Sequence, residues 1–312
     1  MRVLVTGADG FVGRYAIPSL LGRGHEVIAA YGRGEPPAAA RPADRLRWVA
    51  LELTDPESVR HAAAVRPDAV LHLAAVSSGS EARRDPAHAW EVNAVGTVRL
   101  LQALVETRGD GPGPRTLVVS TGEVYGVGDP RPRTESEPPA PVSPYAASKA
   151  AAEIAALEAW RRAGLPAIIA RAFQHTGPGQ PTRFVVPDFV ERLREARRTG
   201  CPRVRTGNLA PVRDLLDVRD VVEAYALLLE RGAPGEIYNV ARGEGVPLAE
   251  VFRRLAELAG VDAVPEPDPA LQRSADIPHL VGDPTKLRRA TGWSPTRTLD
   301  LTLRDVVDAE AD

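Results

Sequence analysis

Short apolar runs alternate with stretches of helical spacing from the start of the chain to about residue 175. Runs at 3–6, 26–31, 46–53, 69–75, 116–122 and 167–173 are apolar on both faces, with helical patterns at 11–24, 55–65, 89–106 and 143–164 between them. Strands buried on both faces belong to a parallel sheet with helices on either side. The pattern predicts an α/β fold, a Rossmann-type doubly wound parallel sheet, over 1–175. Segments 109–114 and 129–144, rich in Gly and Pro, read as loops. After 175 the pattern breaks into shorter pieces, with helices near 184–198, 218–231 and 247–259. The stretch 176–312 is therefore expected to form a smaller α/β C-terminal lobe for substrate, with some exchange of chain between the lobes.

The first turn carries the first chemistry. TGADGFVG sets Gly7, Gly10 and Gly13 between a strand and a helix. The first glycine makes the tight turn, the second lets backbone approach a pyrophosphate, and the third lets helix and strand pack closely. Alone, such a triplet is an ordinary strand-to-helix turn. At the head of an alternating chain it predicts a dinucleotide site. An NAD site carries an acid about 20 residues on, for the ribose 2′-OH. The chain offers Gly32 and Arg33 instead, and an arginine suits a 2′-phosphate. NADPH is expected in preference to NADH, with Arg14 the next candidate should Arg33 be only a loop residue. Glu52, at the end of the third strand, is placed either to accept from the adenine amino group or to lie at the surface.

SPYAASK sets Tyr145 and Lys149 four residues apart, on one helix face. The chain has only six tyrosines and two lysines, Lys149 and Lys286, so the spacing is not a product of abundance. A free phenol ionises near pH ~10. A nearby ammonium stabilises the phenolate and makes the phenol a usable acid–base group. STGEVYG, after the fifth strand, adds Thr121 and Glu123 around Gly122.

TGADGFVG, HLAA at 72–75, VNAVGT at 92–97, STGEVYG and YAASK together resemble the extended short-chain dehydrogenase/reductases, which modify nucleotide sugars. The resemblance implies a catalytic trio of Thr121, Tyr145 and Lys149, with Asn93 as a structural anchor. It extends the cofactor wall to Phe11, Val12, Leu53, Leu73, Ala74 and Ala75, and the substrate wall to Ser77. In the second half, RAFQHTGPGQ (171–180), FVVPDF (184–189), TGNLAPVRDLLDVRDVVEAY (206–225) and RSADIPHLVGDPTKLRRATGWSP (273–295) are similar to GDP-6-deoxy-4-keto-D-mannose reductases. That implies Arg213 and Arg273 as a diphosphate clamp, Arg205 near the sugar nucleotide, and Val185 and Val186 in the base pocket. An arginine fork matches phosphate oxygens. Gln174 replaces an asparagine that the family turns toward the sugar, and His175 reads as a hydrogen-bonded wall residue.

The same resemblance bears on the reaction. Sugar 4,6-dehydratases carry a carboxylate or hydroxyl between the Thr and Glu, and this chain has Gly122. The expected activity is NADPH-dependent reduction of the C4 keto group of a nucleotide-linked 4-keto-6-deoxyhexose, GDP- or dTDP-linked, with Glu123 a substrate hydroxyl acceptor. The alternatives are a 4,6-dehydratase or 4-epimerase of the same superfamily, or a non-catalytic cofactor-sensing protein. Proteins of that last kind usually lose the Tyr or Lys.

Composition narrows the rest. Of 312 residues 44% are hydrophobic, enough for a sizeable core, and the net charge of −2 gives no footprint for nucleic acid. Cys201 is the sole cysteine, which leaves no internal disulfide and no cysteine-cluster zinc site; no metal is expected. No apolar run is long enough to span a bilayer, and the N-terminus lacks a signal core, so a cytoplasmic protein is expected. Alanine beyond one apolar stripe on the helix bearing Tyr145, and a second apolar helix from about Trp90, point to a homodimer.

Overall fold

The computed structural model describes residues 1–32, 44–271 and 276–309. Seven parallel strands form the main sheet. Six come in order: β1 (Arg2–Thr6), β2 (Glu26–Tyr31), β3 (Leu46–Ala50), β4 (Ala69–His72), β5 (Arg115–Thr121) and β6 (Ala167–Ala172). Strands β7 (Gln174–Thr176), β8 (Arg203–Thr206) and β9 (Val212–Asp217) lie outside it, and β10 (Ile237–Val240) returns to pair with β6. The order across the sheet is β10-β6-β5-β4-β1-β2-β3. The chain reverses direction of travel between β1 and β4, the switch point where doubly wound sheets open a crevice.

Each face has its own core. Against one pack α1 (Phe11–Gly22), through Ala16, Ile17 and Leu20, and a later helix over 218–231. Against the other pack α2 (Pro56–Ala63), then, after the short α3 (Gly79–Arg84) and α4 (Pro86–Trp90), α5 (Gly96–Thr107) and α6 (Pro144–Ala163). In α6 the buried positions Ala146, Lys149, Ala152, Glu153, Ala156 and Ala159 recur at helical spacing. Ser143 caps this helix by accepting from the Ala146 amide at 3.2 Å, and Pro144 takes the first-turn position where no amide donor is needed. The pattern expected over 89–106 divides: α4 starts behind an Asp85 cap and Pro86, and a single wide turn, Glu91–Val95, joins it to α5.

The smaller lobe is built from α7 (Val185–Thr199), α9 (Leu248–Ala259) and α11 (Leu299–Ala309) with strands β11 (Gly245–Pro247), β12 (Val264–Pro267) and β13 (His279–Leu280), while α8 (Val218–Arg231) and α10 (Thr285–Thr291) pack with the large sheet. Val190, Leu193, Val251, Leu255, Leu303 and Val306 form its core. Both α8 and β10 come from beyond residue 175 yet complete the large sheet and its cover.

Asn93, in the wide turn, is 1% exposed. Its Oδ1 accepts from the Val76 amide at 2.8 Å, and its Nδ2 donates to Val76 O and to Ser148 Oγ, both at 3.0 Å. Ser148 in turn donates to Tyr145 O at 2.8 Å. The loop after β4 and the first turns of α6 are thus tied through one amide. Replacing Asn93 by Ala leaves buried groups on both sides unpaired. The expected loss is about 2 kcal/mol or more in urea unfolding; a wild-type midpoint would show the anchor to be dispensable.

Candidate active site

At the C-terminal ends of β1, β4 and β5 lies a cavity of about 1020 Å³, at the upper limit of the usual range for ligand pockets (~300–1,000 Å³). Gly7, Gly10, Phe11, Val12 and Gly13 form one wall. Gly7 has φ +64, and a Cβ there would meet the Ala74 backbone at 2.9 Å. A Cβ on Gly13 would lie 2.5 Å from the carbonyl oxygens of both Gly7 and Ala8. The bare loop brings the amide end of α1 to the cavity, and no acid sits in that first turn. These are the requirements of a pyrophosphate, so the loop fits a dinucleotide.

The opposite strand end is fixed by buried polar groups. Thr6 Oγ1 accepts from the amides of Leu73 and Ala74, at 3.1 and 3.0 Å, and meets His72 Nδ1 at 2.8 Å. His72 Nε2 meets Thr97 Oγ1 at 3.0 Å. Burial, assisted by the charge of Lys149, drives His72 down to about 3, so the ring is neutral and serves as a strut. Leu73, Ala74, Ala75 and Ser77 line the cavity beyond it.

Thr121, Glu123, Tyr145 and Lys149 converge on the middle of the cavity. Thr121 Oγ1 accepts from the Glu123 amide at 3.2 Å. Tyr145 is pushed above the ordinary tyrosine range, first by burial and then by the charge of Glu123, with its hydrogen bond to Thr121 opposing. Burial and Glu123 thus act against the depression expected from Lys149. Lys149 is lowered to about 8 by burial, against the attraction of Glu153.

Residue 122 is sealed. A Cβ there would stand 2.9 to 3.0 Å from three atoms of the Phe173 ring. That ring is 2% exposed, and its other edge packs so closely on Gly282 that a Cβ there would stand 2.4 Å from it. It also stacks on Tyr125 at 6.2 Å.

The remaining expected ligands divide. Gln174, Val185, Val186 and Arg213 line the cavity. Gln174 Oε1 is buried with no hydrogen-bond partner among the described residues. His175 Nδ1 donates to Phe173 O at 3.0 Å, the ring stacks 6.5 Å from the Phe11 ring, and its pKa is lowered by burial, as suits a wall residue. Arg213 is held by Ile277 O and Asp276 Oδ1, both at 2.6 Å. Arg205 does not join them: it pairs with Asp268 and faces a separate groove along α7. Glu52 is turned back on its own chain, accepting from the Thr54 amide and hydroxyl at 3.1 and 2.8 Å, and Leu53 is buried against Gly96; Leu51 lines the cavity in their stead. Arg33 and Arg273 lie outside the described residues. Sequence reasoning missed Phe189, Leu209 and Tyr225 on the cavity wall. Tyr225 is fully buried with an unpartnered hydroxyl, and its place in an amphipathic helix marks it only as core.

Residues 3–241 match the NAD dependent epimerase/dehydratase family. The GDP-6-deoxy-D-mannose reductase of Pseudomonas aeruginosa is 35% identical over 309 residues, 98% of this chain and 96% of that protein. The solved structure of RMD from Pseudomonas aeruginosa complexed with NADPH superposes with a TM-score of 0.84 at 34% identity, over 99% of this chain and 98% of that one. The UDP-glucose 4-epimerase of Thermus thermophilus complexed with NAD gives 0.87 at 34% identity, over 99% and 98%.

The fit around residue 122 has a direct check. Gly122→Ser forces Phe173 off its seat, and overpacking of this kind costs about 1–3 kcal/mol. A thermal midpoint equal to wild type would show that the pocket accepts a side chain there.

Proposed function

The chain belongs to the NAD dependent epimerase/dehydratase family, and within it we propose an NADPH-dependent 4-ketoreductase acting on a nucleotide-linked 4-keto-6-deoxyhexose, of the GDP-4-keto-6-deoxy-D-mannose type or its dTDP-linked counterpart. The observation that carries this reading is Gly122. Elimination of the 6-hydroxyl needs a polar side chain between Thr121 and Glu123, and Phe173 fills that space. Glu123 without that neighbour fits a hydroxyl acceptor. The likeness to the Pseudomonas aeruginosa reductase over nearly the whole chain, and to a structure holding NADPH, supports the same choice.

When bound, the reduced nicotinamide supplies hydride to the sugar C4. The glycine loop binds the pyrophosphate, and Leu73, Ala74 and Ala75 wall the cofactor. Thr121 orients the C4 oxygen. Tyr145, held protonated by burial and by Glu123, gives its proton to that oxygen as charge develops on it. Lys149 offers its ammonium to the cavity, where it balances negative charge and reaches the cofactor ribose. Arg213 and Arg273 serve the diphosphate, Gln174 the sugar, and Val185 and Val186 the base. The protein is read as cytoplasmic. Trp90, Val95, Val98 and Ile154 expose apolar surface on α4, α5 and α6 and the turn between them, which supports a homodimer through these helices.

A panel of nucleotide 4-keto-6-deoxysugars, followed by NADPH consumption, tests the assignment; turnover of GDP-mannose without added NADPH would overturn it in favour of a dehydratase. Tyr145→Phe is expected to lower kcat by ~10²–10⁴-fold with cofactor affinity unchanged. A loss under tenfold would remove Tyr145 from the proton transfer. Arg213→Ala is expected to weaken binding of the nucleoside diphosphate by about 1.5–3 kcal/mol in calorimetry, and equal affinity would move the clamp elsewhere.

A further inference from the structure

One helical turn beyond Lys149 lies a buried ion pair that the proposed reaction does not use. Glu153 on α6 and Arg171 on β6 are each 2% exposed. Arg171 Nε donates to Glu153 Oε1 at 3.0 Å and Nη2 to Oε2 at 2.8 Å, a two-pronged contact. Ser120 Oγ, next in chain to Thr121, donates to Oε1 at 2.5 Å. The guanidinium also lies 4.7 Å from the centre of the Tyr125 ring. Every freedom of the Glu153 carboxylate is taken up by β5 and β6, so its position relative to α6 is fixed.

Lys149 is 4% exposed and faces the cavity. Burying an ammonium favours its neutral form unless an opposite charge stands near. The groups around it come from four elements. Tyr145 and Glu153 share its helix. His72, from β4, is neutral. Thr121 and Glu123 close the end of β5, and Glu123 acts on Tyr145. Arg171, from β6, is a cation. Among these described groups Glu153, one turn along the same helix and buried on the same face, is the carboxylate that opposes loss of the Lys149 proton.

We propose that Glu153 is a positioning residue for the active site: locked on the Arg171 fork and Ser120, its carboxylate is the fixed counter-charge that keeps the Lys149 ammonium protonated beside Tyr145. With Arg171 included, the three buried charges leave one net positive charge under the reacting oxygen. The proposal rests on the reading of Tyr145 and Lys149 as the reacting pair, but its test needs no substrate.

The chain has two lysines. Full-length protein labelled with ¹³Cε-lysine therefore gives two signals, and Lys286, partly exposed and paired with Glu236 at 2.7 Å, is the internal reference. In the wild type the Lys149 signal is expected to titrate near 8, the value to which burial lowers it. Glu153→Gln is expected to move that midpoint down by about one unit or more, since it removes the attraction and strands the Arg171 charge nearby. Glu153→Asp is expected to recover part of the shift. Because the single variant leaves Arg171 unpaired in the interior, the double variant Glu153→Gln with Arg171→Met is measured beside it. Its midpoint is expected below wild type but above the single variant. A fall in thermal stability with the Lys149 midpoint unmoved in both variants would reduce the pair to a packing element and overturn the proposal. A shifted midpoint in a protein that fails to reduce any 4-ketosugar would leave Glu153 in this role and reject the ketoreductase reading instead.

Discussion

A phenol and an ammonium on a surface helix share chemistry with a bound cofactor only if that helix is fixed against the ends of the strands. The tie is made by hydrogen bonds, not by shape alone. Asn93 reaches from the wide turn before α5 to the backbone of Val76 on one side and to Ser148, between Tyr145 and Lys149, on the other. Thr6 and His72 hold the neighbouring strand ends in register beneath it. The apolar cores HELD by α5 and α6 bring these elements together, but apolar packing is non-directional. Directional bonds between buried partners settle where Tyr145 points.

Electrostatics then act on groups withdrawn from much of the solvent. Burial raises the phenol, lowers the ammonium and both His72 and His175, and leaves His72 uncharged. The same burial makes the fixed charges of Lys149, Glu153 and Arg171 count for more than they would in water. A proton donor that holds its proton firmly and a cation short of solvent are suited to meeting negative charge as it appears.

Most of the large sheet was legible because a parallel sheet covered on both faces leaves a strong signature, uninterrupted apolar strands between helical patterns. The glycine loop and the Tyr145–Lys149 spacing were legible because each is local: the residues that act together lie within one turn. The structure parts from the expected placements mainly where the deciding contact is distant in sequence. Nothing near Arg205 tells of Asp268, and nothing in the spacing of Tyr145 and Lys149 tells how deeply they are buried. Glu52 is a local case of another kind: adenine or the surface were both open to it, and spacing does not show that Thr54, two residues on, donates to its carboxylate. Gly122 could be seen to lack a side chain, but only the fold shows Phe173 standing in the space, with Gly282 behind it.

The return of the chain to the large sheet has a consequence for how the protein is made. β6 is buried along its whole length, and its outer edge is covered by β10, which is synthesised some sixty residues later. Until Ile237–Val240 emerges, an apolar strand offers unpaired backbone groups along one side, the kind of edge that recruits a strand from another chain. During synthesis the nascent first half is therefore the form most exposed to mispairing, and a chain cut near residue 175 would keep that edge open for good.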